Sequence, residues 1–309
     1  MLAYYLHTFS PFIVEFHNGI GLRWYGLAYV AAFLLGYWLY RWLAQHGYTD
    51  LPPEKVGDFI TWAAVFGVML GGRLGYILFY DLHAMIEHPS QMLKVWEGGM
   101  SSHGGILGLV LFTLYWSRRH RMSWTSLGDC LVVVAPIGLF LVRLANFING
   151  ELYGRIASVP WAVQFPTELL DHPELAAQAG ADGWNTASDL VVLARSDATV
   201  AAHLREILNP RHPSQIYEAL LEGVVLFLAL WLLRTRTRVP RGVLTGAFFI
   251  LYAALRIVGE MFREPDPKWH VGAISAGQFL SLFMFAIGGM FLAWGLRTRE
   301  FEAKLKVVS

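Results

Sequence analysis

Arginine and glutamate side chains recur in apolar stretches of this chain at intervals of three or four residues. Tyr252, Arg256 and Glu260 follow one another at intervals of four. Residues at this spacing lie on one face of a helix, so these three predict a polar stripe. In a membrane, a charge near the bilayer centre costs about 2.5–3.5 kcal/mol on insertion scales, so each such residue needs a partner or a function.

Two further apolar stretches carry polar residues at the same spacing. Arg143 and Asn146 lie near the end of one stretch, and Gln215, Glu218 and Glu222 lie near the start of another. Arginine binds phosphate through paired N–H donors. The stripes would therefore line a cavity for a ligand with an anionic head and an apolar tail, and a membrane phospholipid is the nearest such molecule.

A purely structural interpretation of these charges is that arginines and glutamates neutralise one another between helices. We favour this interpretation for Arg73, Glu218 and Glu222. For Arg143 and Arg256 we favour ligand binding, because a guanidinium group matches the geometry of a phosphate.

His103 precedes two glycines at the start of a glycine-rich apolar stretch. A histidine side chain titrates near neutral pH and is a candidate general base. A histidine beside glycines could equally form hydrogen bonds in a tight turn. The residues alone leave both roles open.

The composition indicates the elements that must position these residues. Of 309 residues, 55% are hydrophobic and 15% are charged, which is too little charge for a water-soluble surface. The 24 Lys and Arg residues nearly balance the 23 Asp and Glu residues, so the charge indicates no nucleic-acid partner. The single cysteine, Cys130, excludes an internal disulfide, and no set of metal ligands is apparent.

We predict an all-α integral membrane protein with about seven transmembrane helices in a single polytopic domain, residues 1–309. A helix needs about 20 largely apolar residues to span the hydrocarbon core. Such stretches occupy approximately residues 20–41, 57–79, 101–117, 127–147, 214–234, 242–262 and 276–296. The third is short and rich in glycine, which indicates close packing against a neighbouring helix.

Lys and Arg residues are concentrated in the loops on one side of these spans, for example near residues 118–121, 234–241 and 297–306. Loops rich in Lys and Arg face the cytoplasm, so we predict an outside N-terminus and a cytoplasmic C-terminus. Residues 148–213 would then form a small periplasmic cap with short helices between spans four and five. Residues 80–100 predict a helix at the outer interface.

The polar strings resemble those of the prolipoprotein diacylglyceryl transferase family. The string RLANFINGELYGR at residues 143–155 resembles the family signature. Residues 139–142, LFLV, are bulkier than the family's glycine-rich approach to the signature arginine. The other matching strings occur in the family's order: WYG at 24–26, GGR at 71–73, HGG at 103–105, HPSQIYE at 212–218 and RIVGEMFR at 256–263.

The resemblance implies a bacterial inner-membrane enzyme whose active site faces the periplasm. Such an enzyme would transfer the diacylglyceryl group of phosphatidylglycerol to the lipobox cysteine of a prolipoprotein signal peptide. The reaction would form a thioether and release glycerol phosphate, as the first step of lipoprotein maturation. The implied partners are membrane lipids and prolipoproteins, and no cofactor or metal is implied. The acceptor thiol belongs to the substrate, so Cys130 is not needed.

The resemblance also implies a role for each matching polar residue. Arg143 and Arg256 would stabilise the departing phosphate, and His103 would be the general base. Glu151 and Glu260 would orient the arginines. The other residues expected to bind the substrate are Tyr25, Asn146, Asn149, Gly154, Tyr252 and Arg263. Of these, the asparagines would donate to the head group, and the tyrosines would anchor the interface or bind the arginines.

A lipid or anion transporter is the alternative function, because it would use the same intramembrane arginines. A transporter needs a polar path that reaches both faces of the membrane. Here the polar residues cluster on the predicted outer side, and inner segments such as residues 226–233 are apolar. The sequence therefore favours the transferase.

Reporters fused to the C-terminus can measure the orientation. We expect a fused alkaline phosphatase to be inactive and a fused fluorescent protein to fluoresce, because the C-terminus is predicted to be cytoplasmic. The same reporters fused within residues 148–213 should give the opposite result. Strong phosphatase activity at the C-terminus would contradict the orientation derived from Lys and Arg.

Overall fold

The structure of the protein, a computed structural model, describes residues 4–17, 20–80, 82, 99–181, 186–264, 270–271 and 274–302. The chain divides into two compact units. The first unit comprises Met1–Ala32, Ala135–Leu232 and Ala247–Gly289, and the second comprises Phe33–Val134, Leu233–Gly246 and Met290–Ser309.

A helix forms within each of the seven predicted spans. In chain order, the described helices are α1 (Trp24–Gln45), α2 (Val56–Trp62), α3 (Gly71–Tyr80), α4 (Ser102–His120), α5 (Trp124–Asn149), α6 (Glu168–Asp171), α7 (Pro173–Gln178), α8 (Ala187–Ser196), α9 (Ala198–Ile207), α10 (Ser214–Glu218), α11 (Leu226–Arg236), α12 (Val243–Glu260) and α13 (Ala276–Thr298). A 3-10 turn, Pro53–Lys55, precedes α2. A π-helical segment joins α2 to α3 (Ala63–Leu70), and another joins α10 to α11 (Ala219–Val225).

Short strands form outside the long helices. They are β1 (Tyr5–Leu6), β2 (Phe12–His17), β3 (Ile20–Arg23), β4 (Val163–Gln164), β5 (Pro210–Arg211), β6 (His270–Val271) and β7 (Ile274–Ser275). β4 lies between β1 and β5, parallel to the first and antiparallel to the second. The pairs β2–β3 and β6–β7 are antiparallel.

The protein is an all-α integral membrane protein, as predicted. α4, at the third predicted span, is 19 residues long, but basic residues occupy its last turn: Arg118, Arg119 and His120. It is not one of the six described helices that are long and apolar enough to cross a membrane. The number of spans and their orientation stay predictions. Six described helices are long and apolar enough to cross a membrane: Trp24–Gln45, Pro53–Leu78, Trp124–Asn149, Ser214–Arg236, Val243–Glu260 and Ser281–Thr298.

The first predicted span began too early. Ile20–Arg23 forms a strand that pairs with β2, and α1 begins at Trp24. Gly21 permits this pairing, because a Cβ there would lie 2.3 Å from the carbonyl oxygen of Val14. A short apolar run does not distinguish a strand from the first turn of a helix. The helix predicted at residues 80–100 falls almost entirely outside the described residues.

Residues 148–213, which we call the insertion, contain β4, β5 and the short helices α6 to α9. Leu169, Leu190 and Leu204 of the insertion are buried together with Leu6 of β1. The N-terminal segment and the insertion therefore share one apolar core. The location of the insertion in the periplasm stays a prediction.

α4 packs closely, through glycines, on α3 and on the π-helical segment Ala63–Leu70 that precedes α3, as the glycine content of the third span predicts. A Cβ on Gly75 would lie 2.4 Å from the Cα of Gly104. A Cβ on Gly108 would lie 2.2 Å from the carbonyl oxygen of Gly67. Larger residues would force these two backbones apart.

His7 holds the N-terminal segment against the end of α5. Its backbone N–H donates to the carbonyl oxygen of Gln164 over 2.9 Å. Its ring packs against Phe147 and Phe165, with centroid distances of 5.3 and 5.2 Å. The residue is only 5% exposed, and this burial lowers the pKa of His7 to about 4. The folded protein therefore holds His7 in its neutral form.

The substitution Gly108→Ala should destabilise the protein, because the added methyl group would overlap the facing backbone. Overpacking of this kind costs about 1–3 kcal/mol. The matched control is Gly105→Ala on the same helix, where a Cβ would lie 3.5 Å from the carbonyl oxygen of Val68. Thermal unfolding in detergent should show a lowered midpoint for Gly108→Ala only. Equal midpoints for the two variants would contradict the close packing.

Acidification should destabilise the protein through His7. Because the folded pKa lies below the ordinary value of 6.5, the unfolded chain binds this proton more tightly. The stabilisation present above pH 6.5 is therefore lost progressively as the pH falls towards about 4. His7→Phe should reduce the fall in thermal midpoint on acidification, whereas His203→Phe, at an exposed position of α9, should leave it unchanged. A pH dependence identical in wild type and His7→Phe would count against this assignment.

Candidate active site

Two arginines and two glutamates form a closed network within the first unit. The Nε of Arg143 lies 3.0 Å from Oε2 of Glu218, and its Nη2 lies 3.2 Å from Oε2 of Glu222. The Nη1 of Arg256 lies 2.9 Å from Oε1 of Glu218 and 3.3 Å from Oε1 of Glu222. Each glutamate thus bridges both arginines through its two oxygens. We call these four side chains the Arg–Glu cluster.

The two kinds of side chain in the Arg–Glu cluster differ in exposure. The side chains of Glu218 and Glu222 are fully buried, whereas those of Arg143 and Arg256 are each 14% exposed. A buried carboxylate is strongly unfavourable unless it is paired and hydrogen-bonded. The glutamates therefore fix the guanidinium groups, and part of each arginine side chain stays exposed.

The Arg–Glu cluster extends along α12 and beyond its end. Glu260 lies one turn after Arg256, and its Oε2 is 2.9 Å from Arg256 Nη2. Arg263 Nη1 lies 3.6 Å from Oε1 of Glu218. The predicted polar stripe of α12 is therefore present for Arg256 and Glu260, and Glu260 contacts Arg256 as expected.

A close approach of two helices brings Arg143 to the glutamates. A Cβ on Gly223 would lie 2.6 Å from the Cβ of Phe140, so Phe140 packs directly on the backbone of the π-helical segment Ala219–Val225. Gly223 leaves the space for this side chain, and Arg143, about one turn after Phe140, reaches Glu222. π-helical segments are frequent at functional sites.

Three amide side chains donate hydrogen bonds to Glu151, an exposed residue that follows α5. Asn146 Nδ2 and Asn149 Nδ2 donate to Glu151 Oε1 over 2.7 and 3.4 Å. Gln215 Nε2 donates to the backbone carbonyl of Glu151 over 2.7 Å. The described contacts of Glu151 are thus with amides rather than with an arginine. Gly150 has a φ of +72°, which glycine adopts easily, and it allows the tight turn between α5 and Glu151.

Gly154 joins three chain segments by its backbone. Its N–H donates to the carbonyl oxygen of His212 over 2.9 Å, and it forms an antiparallel bridge with Arg263. A Cβ at this position would lie 2.5 Å from the carbonyl oxygen of Phe262. Backbone packing therefore explains the glycine, which holds together the segments that follow α5, precede α10 and follow α12.

Arg211 supports this junction and was not predicted from the sequence. Its buried guanidinium donates to the carbonyl oxygen of Gly154 over 3.1 Å and to Glu264 over 2.9 Å through Nη1, and to Glu168 over 2.5 Å through Nη2. The same group lies 4.8 Å from the ring centroid of Tyr153. Arg211 directly precedes the string at 212–218, and this position could have marked it as a site residue. Its partner Glu168 could not be predicted, because it lies 43 residues away in sequence.

The predicted tyrosines contact aromatic rings. Tyr25 lies in the first turn of α1, and its ring centroid is 5.4 Å from that of Tyr29. Tyr252 stacks on Phe248 at 5.7 Å, one turn earlier in α12. A hydrogen bond from either tyrosine to an arginine is not among the contacts of the described residues.

His103 and Arg73 belong to the second unit. His103 is exposed in the first turn of α4, where Ser101 caps the helix by accepting from the N–H of Gly104 over 3.2 Å. Arg73 is buried and donates to the carbonyl oxygen of Gly99 over 3.0 Å, and its neutralisation by a glutamate stays a prediction. In the described part of the chain, no group of three or more His, Cys, Asp or Glu residues is placed to hold a metal ion.

Comparisons with known proteins agree with the resemblance seen in the polar strings. The family described as prolipoprotein diacylglyceryl transferase matches residues 11–294. A phosphatidylglycerol–prolipoprotein diacylglyceryl transferase of Rhodospirillum centenum is 43% identical over 284 residues, which cover 90% of this chain and 89% of that protein. A protein of the same name from Sodalis glossinidius is 39% identical over 302 residues, covering 96% of this chain and 97% of that protein. Another, from Nitratidesulfovibrio vulgaris, is 41% identical over 291 residues, covering 93% and 94%.

Proposed function

The chain belongs to the prolipoprotein diacylglyceryl transferase family, and we propose that it transfers the diacylglyceryl group of phosphatidylglycerol to prolipoproteins, the first step of lipoprotein maturation. The observation that carries the proposal is the Arg–Glu cluster, which holds two partly exposed arginine side chains among apolar helices. Phosphatidylglycerol has the anionic phosphate and apolar tails that such a site would bind. Family membership favours this function over the alternative of a lipid or anion transporter.

The acceptor is the lipobox cysteine thiol of the precursor. A thiol with an ordinary pKa of about 8.5 is mostly protonated at neutral pH, and the thiolate is the nucleophile. The thiolate attacks the glyceryl carbon, a carbon–sulfur bond forms, and the bond from that carbon to the phosphate oxygen breaks. Glycerol phosphate leaves with the electron pair, and the thiol proton passes to a base. The chain's own Cys130 is buried, and its Sγ donates to the carbonyl oxygen of Tyr48.

Arg143 and Arg256 stabilise the departing phosphate. Negative charge moves from sulfur to phosphate during the reaction, and preorganised donors aimed at developing charge usually supply the largest catalytic contribution. Glu218 and Glu222 hold both guanidinium groups before the substrate binds, and Glu260 adds a contact to Arg256. The arginines therefore need little rearrangement during the reaction.

The remaining residues bind the substrate or accept the proton. His103 is the candidate base, because its imidazole is exposed at the start of α4. Arg263 adds positive charge beside Glu218. The other residues proposed to contact the substrate or shape its site are Tyr25, Asn146, Asn149, Glu151, Gly154 and Tyr252.

The enzyme lies in the bacterial inner membrane with its active site towards the periplasm. The apolar helices support a multi-pass membrane protein, and the distribution of Lys and Arg supports this orientation. Arg143, Asn146 and the glutamates of α10 and its π-helical segment lie at the helix ends next to the insertion. These ends are the outer ones in the predicted orientation.

The purified protein, incubated with phosphatidylglycerol and a lipobox peptide, should add one diacylglyceryl group to the peptide, as measured by mass spectrometry. Arg143→Gln and Arg256→Gln should each lower kcat by about 100-fold or more, because each removes a donor to the leaving phosphate. Arg143→Lys should also be slow, since it keeps the charge but loses the paired donors.

The matched control is Arg205→Gln, the same substitution at an exposed position of α9, which should keep near-normal turnover. Thermal midpoints identify variants that fail to fold. Normal turnover by folded Arg143→Gln and Arg256→Gln would defeat the leaving-group role. A wild-type protein that leaves the peptide mass unchanged would defeat the proposed function.

A further inference from the structure

Three buried amide oxygens near Glu151 have no hydrogen-bond donor among the described residues. They are Asn146 Oδ1, Asn149 Oδ1 and Gln215 Oε1. Asn146 and Gln215 are 2% and 0% exposed. Buried polar atoms are normally hydrogen-bonded, so three unsatisfied acceptors around one residue indicate a place where a ligand supplies donors.

The hydrogen bonds to Glu151 determine whether the nitrogen or the oxygen of each amide is left without a partner. Asn146 and Asn149 approach its carboxylate, and Gln215 approaches its backbone carbonyl. A carboxylate and a carbonyl only accept hydrogen bonds, so the NH2 group of each amide must face Glu151. The oxygens are therefore the amide atoms left without a partner among the described residues, and they require hydrogen-bond donors. The asparagines, which the sequence predicted as donors to the head group, would thus accept hydrogen bonds from it.

The amides lie one helical turn from the Arg–Glu cluster on two separate helices. Asn146 follows Arg143 by three residues on α5, and Gln215 precedes Glu218 by three residues on α10. Side chains at this spacing are neighbours, with Cβ atoms about 5–6 Å apart. A phosphate bound by Arg143 would therefore place the next few atoms of the same molecule within reach of the amides.

We propose that Gln215, together with Asn146 and Asn149, binds the hydroxyl groups of the phosphatidylglycerol head group through these amide oxygens. The proposal rests on the proposed function. The acyl chains and the phosphate of this lipid offer no donors, whereas the terminal glycerol offers two hydroxyl groups next to the phosphate. An ammonium head group would also donate hydrogen bonds, so phosphatidylethanolamine is the competing lipid that the test includes. Gln215 is thus a residue that selects the lipid by its head group.

The test compares two lipids with the same acyl chains. One is phosphatidylglycerol, and the other is phosphatidylpropanol, whose head group has no hydroxyl. Sites built to bind a hydroxyl strongly reject analogues without one, so the wild type should prefer phosphatidylglycerol in kcat/KM by about 100-fold or more. Gln215→Met keeps the length of the side chain and removes the amide. It should lower kcat/KM for phosphatidylglycerol about 10-fold more than kcat/KM for phosphatidylpropanol, so the preference between the two lipids should fall about 10-fold.

Gln164→Met is the matched control. Gln164 is another buried amide of the first unit, whose Nε2 donates to the backbone carbonyls of Arg205 and Leu208 within the insertion. The same substitution there should leave the preference between the two lipids at the wild-type value. Gln215→Asn, which keeps the amide but shortens the side chain, replaces Gln215→Met if the latter does not fold, and it should reduce the preference as well.

Several results would overturn the proposal. They are a wild type that uses the two lipids equally, a wild type that uses phosphatidylethanolamine as well as phosphatidylglycerol, and a Gln215 variant that slows transfer from both lipids by the same factor. That last result would assign Gln215 a structural role through Glu151. Failure of the wild type to modify the peptide with any lipid would instead reject the proposed function, so the two failures are distinguishable.

Discussion

The site depends on two carboxylates that have no contact with solvent. Glu218 and Glu222 are fully buried in apolar helices, where an unpaired negative charge would be strongly destabilising. Each is compensated by both Arg143 and Arg256. Neutralisation between helices and ligand binding are therefore compatible interpretations, because the pairing that stabilises the glutamates also fixes the arginines. An arginine that is paired with buried glutamates and is still partly exposed can bind a phosphate without losing those contacts.

This arrangement requires backbones that approach one another closely. The contact of Gly223 with Phe140 brings α5 against the π-helical segment that carries Glu222, and Gly154 lets the segments beyond α5 and α12 meet. Arg211 then joins Gly154 to Glu168 of the insertion and to Glu264. The positions of the polar side chains are thus set by glycine contacts and by one buried arginine that lies outside the cluster.

Much of the fold and part of the site could be predicted from the sequence. Long apolar runs located the membrane helices, and helical spacing placed Arg256 with Glu260 on one face of α12. Contacts between distant residues, such as Arg211 with Glu168, have no local signature. The π-helical segments and the turn at Gly150 depend on packing that spacing does not encode. Strand β3 was missed because Ile20–Arg23 continues an apolar run, and its partner β2 cannot be identified from that run alone.

α5 and α10 each carry a charged residue of the Arg–Glu cluster and an amide residue. In the proposed function, this arrangement links catalysis to the selection of the lipid. Arg143 and Asn146 keep a fixed separation on α5, as do Glu218 and Gln215 on α10. A head group that satisfies the amides would hold its phosphate at one distance from the guanidinium groups, and alignment of reacting groups strongly affects rate. A lipid without hydroxyl groups would leave buried acceptors unsatisfied and its phosphate less well fixed. Selectivity for the head group would therefore be expressed in the rate of transfer as well as in binding.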